Sequence, residues 1–263
     1  MTLKDLVFFR SWFSDFCRSF SSVSAEDQRN IRLKEEHTRQ VCKNMRLITG
    51  ERSLKEGEAL LAEAIALFHD VGRFPQYAKY RTFRDALSVN HAVLGAGLLA
   101  ERGVLKGIPE KEQGLILQAV RFHNAFAVPE ISDRRELLFL KLIRDADKLD
   151  IWRVFWEYYE SPAGERASAA GLGLPDCGGY SPEVMATIFD RRVISLVSLK
   201  TLDDFKLLQL SWIFDLNFSV SLKLLLERDY IRRIAETLPQ TDDARRVRPF
   251  LEAHVRERLE EGR

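Results

Sequence analysis

Apolar residues recur at helical spacing along nearly the whole 263-residue chain, and no stretch alternates apolar and polar as a half-buried strand would. A chain patterned this way must bury helix faces against other helix faces, so an all-α fold is expected. Hydrophobic residues make up 46% of the sequence, enough for a substantial core.

Punctuation residues divide the pattern into helices. Ser24 followed by Ala-Glu-Asp reads as an N-cap with acids in the first turn, and that helix should run to about Thr49, where Gly50 ends it. The next should span about Lys55 to Asp70 and stop at Gly72 and Pro75. Others are expected from near Ser88 to near Gly103, and from Pro109 to about Asn124. A long one should start at Ser132-Asp133 and continue past Asp150 to Tyr159. Glycines and prolines crowd residues 161–182, which read as a long loop and a candidate lid. Helical patterning resumes from Pro182 to Leu238 and again from Asp242. The segment from Arg245 onward is highly charged and reads as a solvated helix, with His254 at the surface.

Charge and cysteine usage exclude several classes. The formal net charge is +1, so no global field recruits nucleic acid or a membrane surface. Cys17, Cys42 and Cys177 are far apart and odd in number, which argues against a disulfide framework or thiolate zinc site and for a reducing, cytoplasmic compartment. The aromatic-rich stretch Leu6–Phe20 is broken by Arg10, Asp15 and Arg18, and reads as an amphipathic helix, not a signal peptide. No stretch approaches the ~20 apolar residues that a bilayer span needs.

Four of the five histidines, His37, His69, His91 and His123, fall on four successive expected helices, each on the apolar stripe. One such residue would ordinarily be a hydrogen-bonded core histidine. Four on consecutive inward stripes need partners together, and a shared metal supplies them. Asp70 follows His69 directly. Neighbours on a helix point about 100° apart, so both reach one ion only near the helix end. Downstream, Asp145 shares the stripe of Leu138, Leu142 and Leu149, whereas Asp147 shares that of Leu140 and Ile143. Periodicity does not choose between them, and either would be costly to bury without a cation or donor.

The order His37, His69-Asp70, His91, His123, Asp147 resembles the HD superfamily of metal-dependent phosphohydrolases. The stretch His-Asp-Val-Gly-Arg-Phe-Pro-Gln-Tyr at 69–77 looks like the signature of a bacterial branch of it, as do Ser-Val-Asn-His ending at His91 and Arg-Asp-Ala-Asp-Lys-Leu-Asp at 144–150. The likeness covers roughly residues 30–155. It implies an orthogonal helical bundle with one ion held by His37, His69, Asp70 and Asp147, with Asp145 as the fallback for the last acid. His91 and His123 would hold a second ion, with Asp70 bridging. Such ligands suit Mn, Fe, Ni, Co or Zn. Arg73 and Lys148 are the candidate cations for a small phosphorylated substrate. Asn90 and Asn124, which flank the two later histidines, are candidates for supporting them.

On this resemblance the expected organisation is a helical core at 1–160, the loop at 161–182, and C-terminal helices at 183–263 that pack on the core or form a homodimer face. The resemblance also has limits. The Gly-Tyr-Pro element of cyclic di-GMP hydrolases is missing after His123, Arg73-Phe74 replaces the acidic pair of alarmone hydrolases, and no large segments surround the core as in deoxynucleotide triphosphohydrolases. Phosphoester hydrolysis leads. A di-iron oxygenase of the myo-inositol oxygenase kind and a non-catalytic signalling module are the alternatives.

Overall fold

The computed structural model describes residues 1–22, 24–162, 167–169 and 173–261, and among these there are helices and no strand. The chain is all-α, and it divides into two compact units, with the division falling between Asp150 and Ile151.

The first unit holds Met1–Asp150 and the described stretch 167–169. Its helices are α1 (Leu3–Arg18), α2 (Ala25–Glu51), α3 (Glu56–Phe68), α4 (Arg73–Tyr80), α5 (His91–Glu101), α6 (Glu110–Phe122) and the first part of α7 (Arg134–Glu160). Local chemistry sets their starts. Thr2 and Asp5 form a reciprocal capping box on α1, the Ser24 hydroxyl accepts from the Asp27 amide, and the Asn90 side chain accepts from the amides of Ala92 and Val93.

Helix α3 is the hub and packs on α1, α2 and α6. Every residue from Leu61 to Phe68 is buried, including Glu63, whose carboxylate pairs with Arg10 and Arg46. From α1, Phe9 meets Phe68 edge-on at 5.2 Å, while Phe13 and Phe16 meet Phe74 of α4 at 5.9 and 5.8 Å. Each fully buried phenylalanine contributes about 1.5–3 kcal/mol, so this cluster fixes the path of the chain through residues 68–74.

One expectation needs correction here. Pro75 does not end helical structure: it occupies the third position of α4, where its missing N–H would have had no partner inside the helix. Helix α3 does stop short of Gly72, as expected, but space is what calls for glycine there. The φ of Gly72 is −69°, and a Cβ there would lie 2.1 Å from the His91 carbonyl oxygen and 2.7 Å from the Gly95 nitrogen. The glycine is needed for space, because the start of α4 crosses the start of α5 backbone to backbone.

The second unit runs over Ile151–Pro162 and from Gly173 onward. It contains the end of α7 and α8 (Pro182–Phe189), α9 (Leu202–Ser211), α10 (Ser219–Glu227), α11 (Tyr230–Ala235) and α12 (Asp242–Glu261). Helix α9 is buried along most of its length, with the Lys206 ammonium 2.7 Å from Asp203. Helix α12 is not solvated all round: Ala244, Val247, Leu251, His254 and Val255 form a buried stripe hidden in the sequence by the charges between them. His254 is therefore a buried residue, its ring centroid 5.1 Å from that of Phe214 and neither nitrogen hydrogen-bonded. The stretch proposed as a lid lies partly at 163–166 and 170–172, outside the described residues. No helix among the described residues is long and apolar enough to cross a membrane.

Candidate metal centre

Helix ends deliver the paired His69 and Asp70. His69 caps the C-terminus of α3, and its Nδ1 donates to the carbonyl of Ala66, three residues back, at 2.7 Å. His123 repeats the device at the end of α6, donating from Nδ1 to the Val120 carbonyl at 2.7 Å. A carbonyl only accepts, so in each ring Nδ1 carries the proton and the Nε2 of the neutral ring is a bare lone pair. His37, within α2, and His91, the first residue of α5, use carboxylates instead. His37 Nδ1 lies 2.7 Å from Asp150, and His91 Nδ1 lies 2.8 Å from Asp85.

All four Nε2 atoms turn inward. They pair as His37 with His69 at 3.3 Å and His91 with His123 at 3.1 Å. Asp70 sits between the pairs: Oδ2 is 3.5 Å from His37 Nε2, and Oδ1 is 3.2 Å from His91 Nε2. Asp147 closes the first pair, with Oδ1 3.0 Å from His37 Nε2 and 3.6 Å from His69 Nε2. Three overlapping sets of ligand atoms result, each within 4.8 Å: His37, His69 and Asp70; His69, His123 and Asp147; Asp70, His91 and His123. Among the described residues Asp147, and not Asp145, belongs to these sets. Asp145 is buried elsewhere on α7.

The electrostatics match a site made for positive charge. Burial opposes ionisation of Asp70, but the Lys34 charge, with the surrounding imidazoles, holds its carboxyl well below the usual range. Burial likewise opposes ionisation of Asp147, and the His37 imidazole, 3.0 Å away, overcomes it and holds the carboxyl well below the usual range. For His37, burial and the Lys34 charge disfavour the imidazolium, yet Asp147 and Asp150 outweigh them and raise its pKa to about 9.

Arg73, the first residue of α4, reaches the cluster with Nε 3.4 Å from Asp70 Oδ1, while its Nη1 donates to the Phe83 carbonyl, Gln76 and Asp85. Lys148 is buried in α7 next to Asp147. Three contributors were not singled out from sequence. Lys34 lies one turn before His37 and holds its ammonium 2.8 Å from Asp70 Oδ2 and 5.2 Å from the centre of the Phe83 ring. Its position at i−3 from His37 was a usable signal. Asp150, three residues after Asp147, had the same kind of signal. Asp85, in an irregular segment, had none. Asn124 donates to Asp85 at 3.1 Å and to Asn90 at 3.2 Å.

A donor set of four imidazoles and two carboxylates, with the outer nitrogens anchored, fits a divalent transition metal. Comparison with curated proteins and with solved structures found no match. Residues 35–152 match the family model described as the HD domain, a span that contains all six converging residues. The chain therefore carries an HD domain over residues 35–152, a domain whose superfamily consists in general of metal-dependent hydrolases.

Proposed function

We propose that this chain hydrolyses a phosphate ester of a small metabolite, at divalent transition metal held by His37, His69, Asp70, His91, His123 and Asp147. The observation that carries this reading is the anchoring of all four imidazoles through Nδ1. It turns the Nε2 atoms inward, 3.1–3.3 Å apart within each pair, where a bound cation would satisfy both rings at once.

Mn, Fe, Ni, Co or Zn suits these donors. When bound, such ions bring the pKa of a coordinated water towards neutrality and offset charge on a phosphoryl group. In the reaction the water oxygen bonds to phosphorus, the ester P–O bond breaks, and the alcohol leaves with a proton from that water. The chain's own part is to hold the donors in place and to meet the substrate. Asp147, Lys34 and Arg73 keep 15%, 17% and 16% of their side chains exposed, whereas the four imidazoles keep 3% or less, so this is the side from which a phosphate enters. The Arg73 guanidinium is committed to Phe83, Gln76 and Asp85, and so it braces the site. The Lys34 ammonium, a compact charge on a flexible stem, is the better partner for a phosphate oxygen.

The test is phosphate release from a panel of nucleotides and other phosphoesters with added Mn²⁺, comparing wild type with Asp70→Ala. Turnover that disappears in a folded variant supports the reading. No release from any ester by metal-loaded wild type sinks it.

A further inference from the structure

The centre is built from two half-sites that share a plan but differ in charge. Each has one histidine anchored by a carbonyl and one anchored by a carboxylate: His69 and His37 in the first, His123 and His91 in the second. Each takes one oxygen of Asp70. The flanking cations balance, with Lys34 at Oδ2 and Arg73 at Oδ1. What distinguishes the halves is Asp147, which lies 3.0 and 3.6 Å from the two nitrogens of the first half and reaches the second only through the set it shares with His69 and His123.

The outer carboxylates differ as well. Asp150 is 2% exposed and lies on α7, the helix that carries Asp147. Asp85 is 29% exposed and belongs to a three-residue turn. Besides His91, Asp85 accepts from Arg73 at 2.9 Å, Gln76 at 2.8 Å and Asn124 at 3.1 Å. Its negative charge is shared among four donors, and among the described residues it is the partner that orients His91 through Nδ1.

We propose that the two half-sites load unequally: an ion at His37, His69 and Asp147 is held tightly, and a second at His91 and His123 is held weakly, its retention set by Asp85 as a positioning residue. This rests on the metal centre proposed above but not on the substrate. A carboxylate behind a ligating imidazole fixes its tautomer and raises its basicity, and losing one typically costs about 10–100-fold in metal affinity. In Asp85→Asn the charge is lost and the amide nitrogen must face one or more of the four donors, which weakens the hold on His91.

The experiment is Mn²⁺ titration of the full chain by calorimetry, with the electron paramagnetic resonance signal followed in parallel. Wild type should bind two ions in separable steps, the second giving the broadened signal of neighbouring Mn²⁺ ions. Asp85→Asn should keep the tight step, lose about 10–100-fold in the weak one, and retain the six-line signal of an isolated ion. Asp150→Asn should weaken the tight step instead. If Asp85→Asn fails to fold, Asn124→Ala, which removes one donor to Asp85, should weaken the second step alone. A single step in wild type, equal loss from both steps, or an unchanged second step in the folded variant overturns the proposal. Two unequal steps without phosphate release from any ester would leave it standing and overturn only the hydrolytic reading.

Discussion

The crossing of α4 and α5 ties the fold to the metal centre, and Gly72→Ala tests that tie. An added Cβ would sit 2.1 Å from the His91 carbonyl oxygen, with Gly95 backbone atoms at 2.7 and 3.1 Å. An ordinary carbon–oxygen contact is about 3.3 Å, so the first turn of α5 must retreat by about 1.2 Å. Overpacking of this kind costs typically 1–3 kcal/mol, and the upper part of that range applies because the obstruction is backbone and cannot rotate away. A unit of this size loses about 2–4 °C of Tm per kcal/mol, so a fall of roughly 6–12 °C is expected in the presence of a chelator. His91 leads the displaced turn, and its Nε2 is 3.2 Å from Asp70 Oδ1. Metal–ligand distances tolerate only about ±0.2 Å, so folded Gly72→Ala should also lose the ion at His91 and His123. Gly97→Ala on the same helix is the control. Nothing lies within 4 Å of its added Cβ, and it should be neutral or stabilising by up to about 1 kcal/mol. If Gly72→Ala melts with wild type and binds metal identically, the reasoning from close approach is wrong.

Three further outcomes follow from particular side chains. Asp147→Asn should abolish tight Mn²⁺ binding in equilibrium dialysis while Asp145→Asn leaves the ion count unchanged; the reverse would exchange the two acids. Lys34→Gln should bind Mn²⁺ more tightly, because a competing charge 2.8 Å from Asp70 is gone, yet bind inorganic phosphate less tightly once loaded. Each change should be several-fold, the scale of about 1 kcal/mol for a partly exposed ion pair, and parallel movement of the two affinities would count against a role for Lys34 at the phosphate. The pKa of His254 is lowered from 6.5, first by burial and then by Arg191 and Arg258. A group with a depressed imidazole pKa takes up its proton preferentially in the unfolded chain. Its contribution is thus fully present above about pH 6.5 and is lost as pH falls towards the folded-state value. His254→Phe should flatten the decline of Tm between about pH 7 and pH 5, and an unchanged slope would show that the ring does not titrate on unfolding.

Several helices of the first unit were legible because their ends carry their own signals: Ser24 caps α2 as read, Pro109 stands just before α6, and α5, expected near Ser88, starts at His91 behind Asn90. Helix α4 was missed because Gly72 and Pro75 are stop signals read one residue at a time, and only the approach of α5 shows what the glycine is for. The buried stripe of α12 was obscured because five inward residues are spaced among arginines and glutamates. The choice between Asp145 and Asp147 was out of reach of periodicity for a related reason. Phe139, Leu140, Leu142, Ile143, Ala146, Leu149 and Trp152 are all buried, so this part of α7 has no solvent face against which an inward direction could be measured.

The candidate ligands were easier to find than their supports, and hydrogen-bond geometry explains the difference. His69 and His123 each find the outer partner they need on their own helix, at the carbonyl three residues back, which the helix end leaves available. That arrangement also answers how His69 and Asp70 can serve one centre despite pointing about 100° apart on a regular helix, since the pair stands where the helix stops. His37 and His91 have no such carbonyl and must borrow a carboxylate from far along the chain or from an irregular turn. Asp150 is 113 residues from His37, and Asp85 lies in a segment without periodicity. Inward-facing donors leave a trace in local spacing because each must share a helix face with apolar neighbours. Their outer partners need only a single contact across the fold, so Asp85 left no pattern along the chain and Asp150 left only its spacing from Asp147.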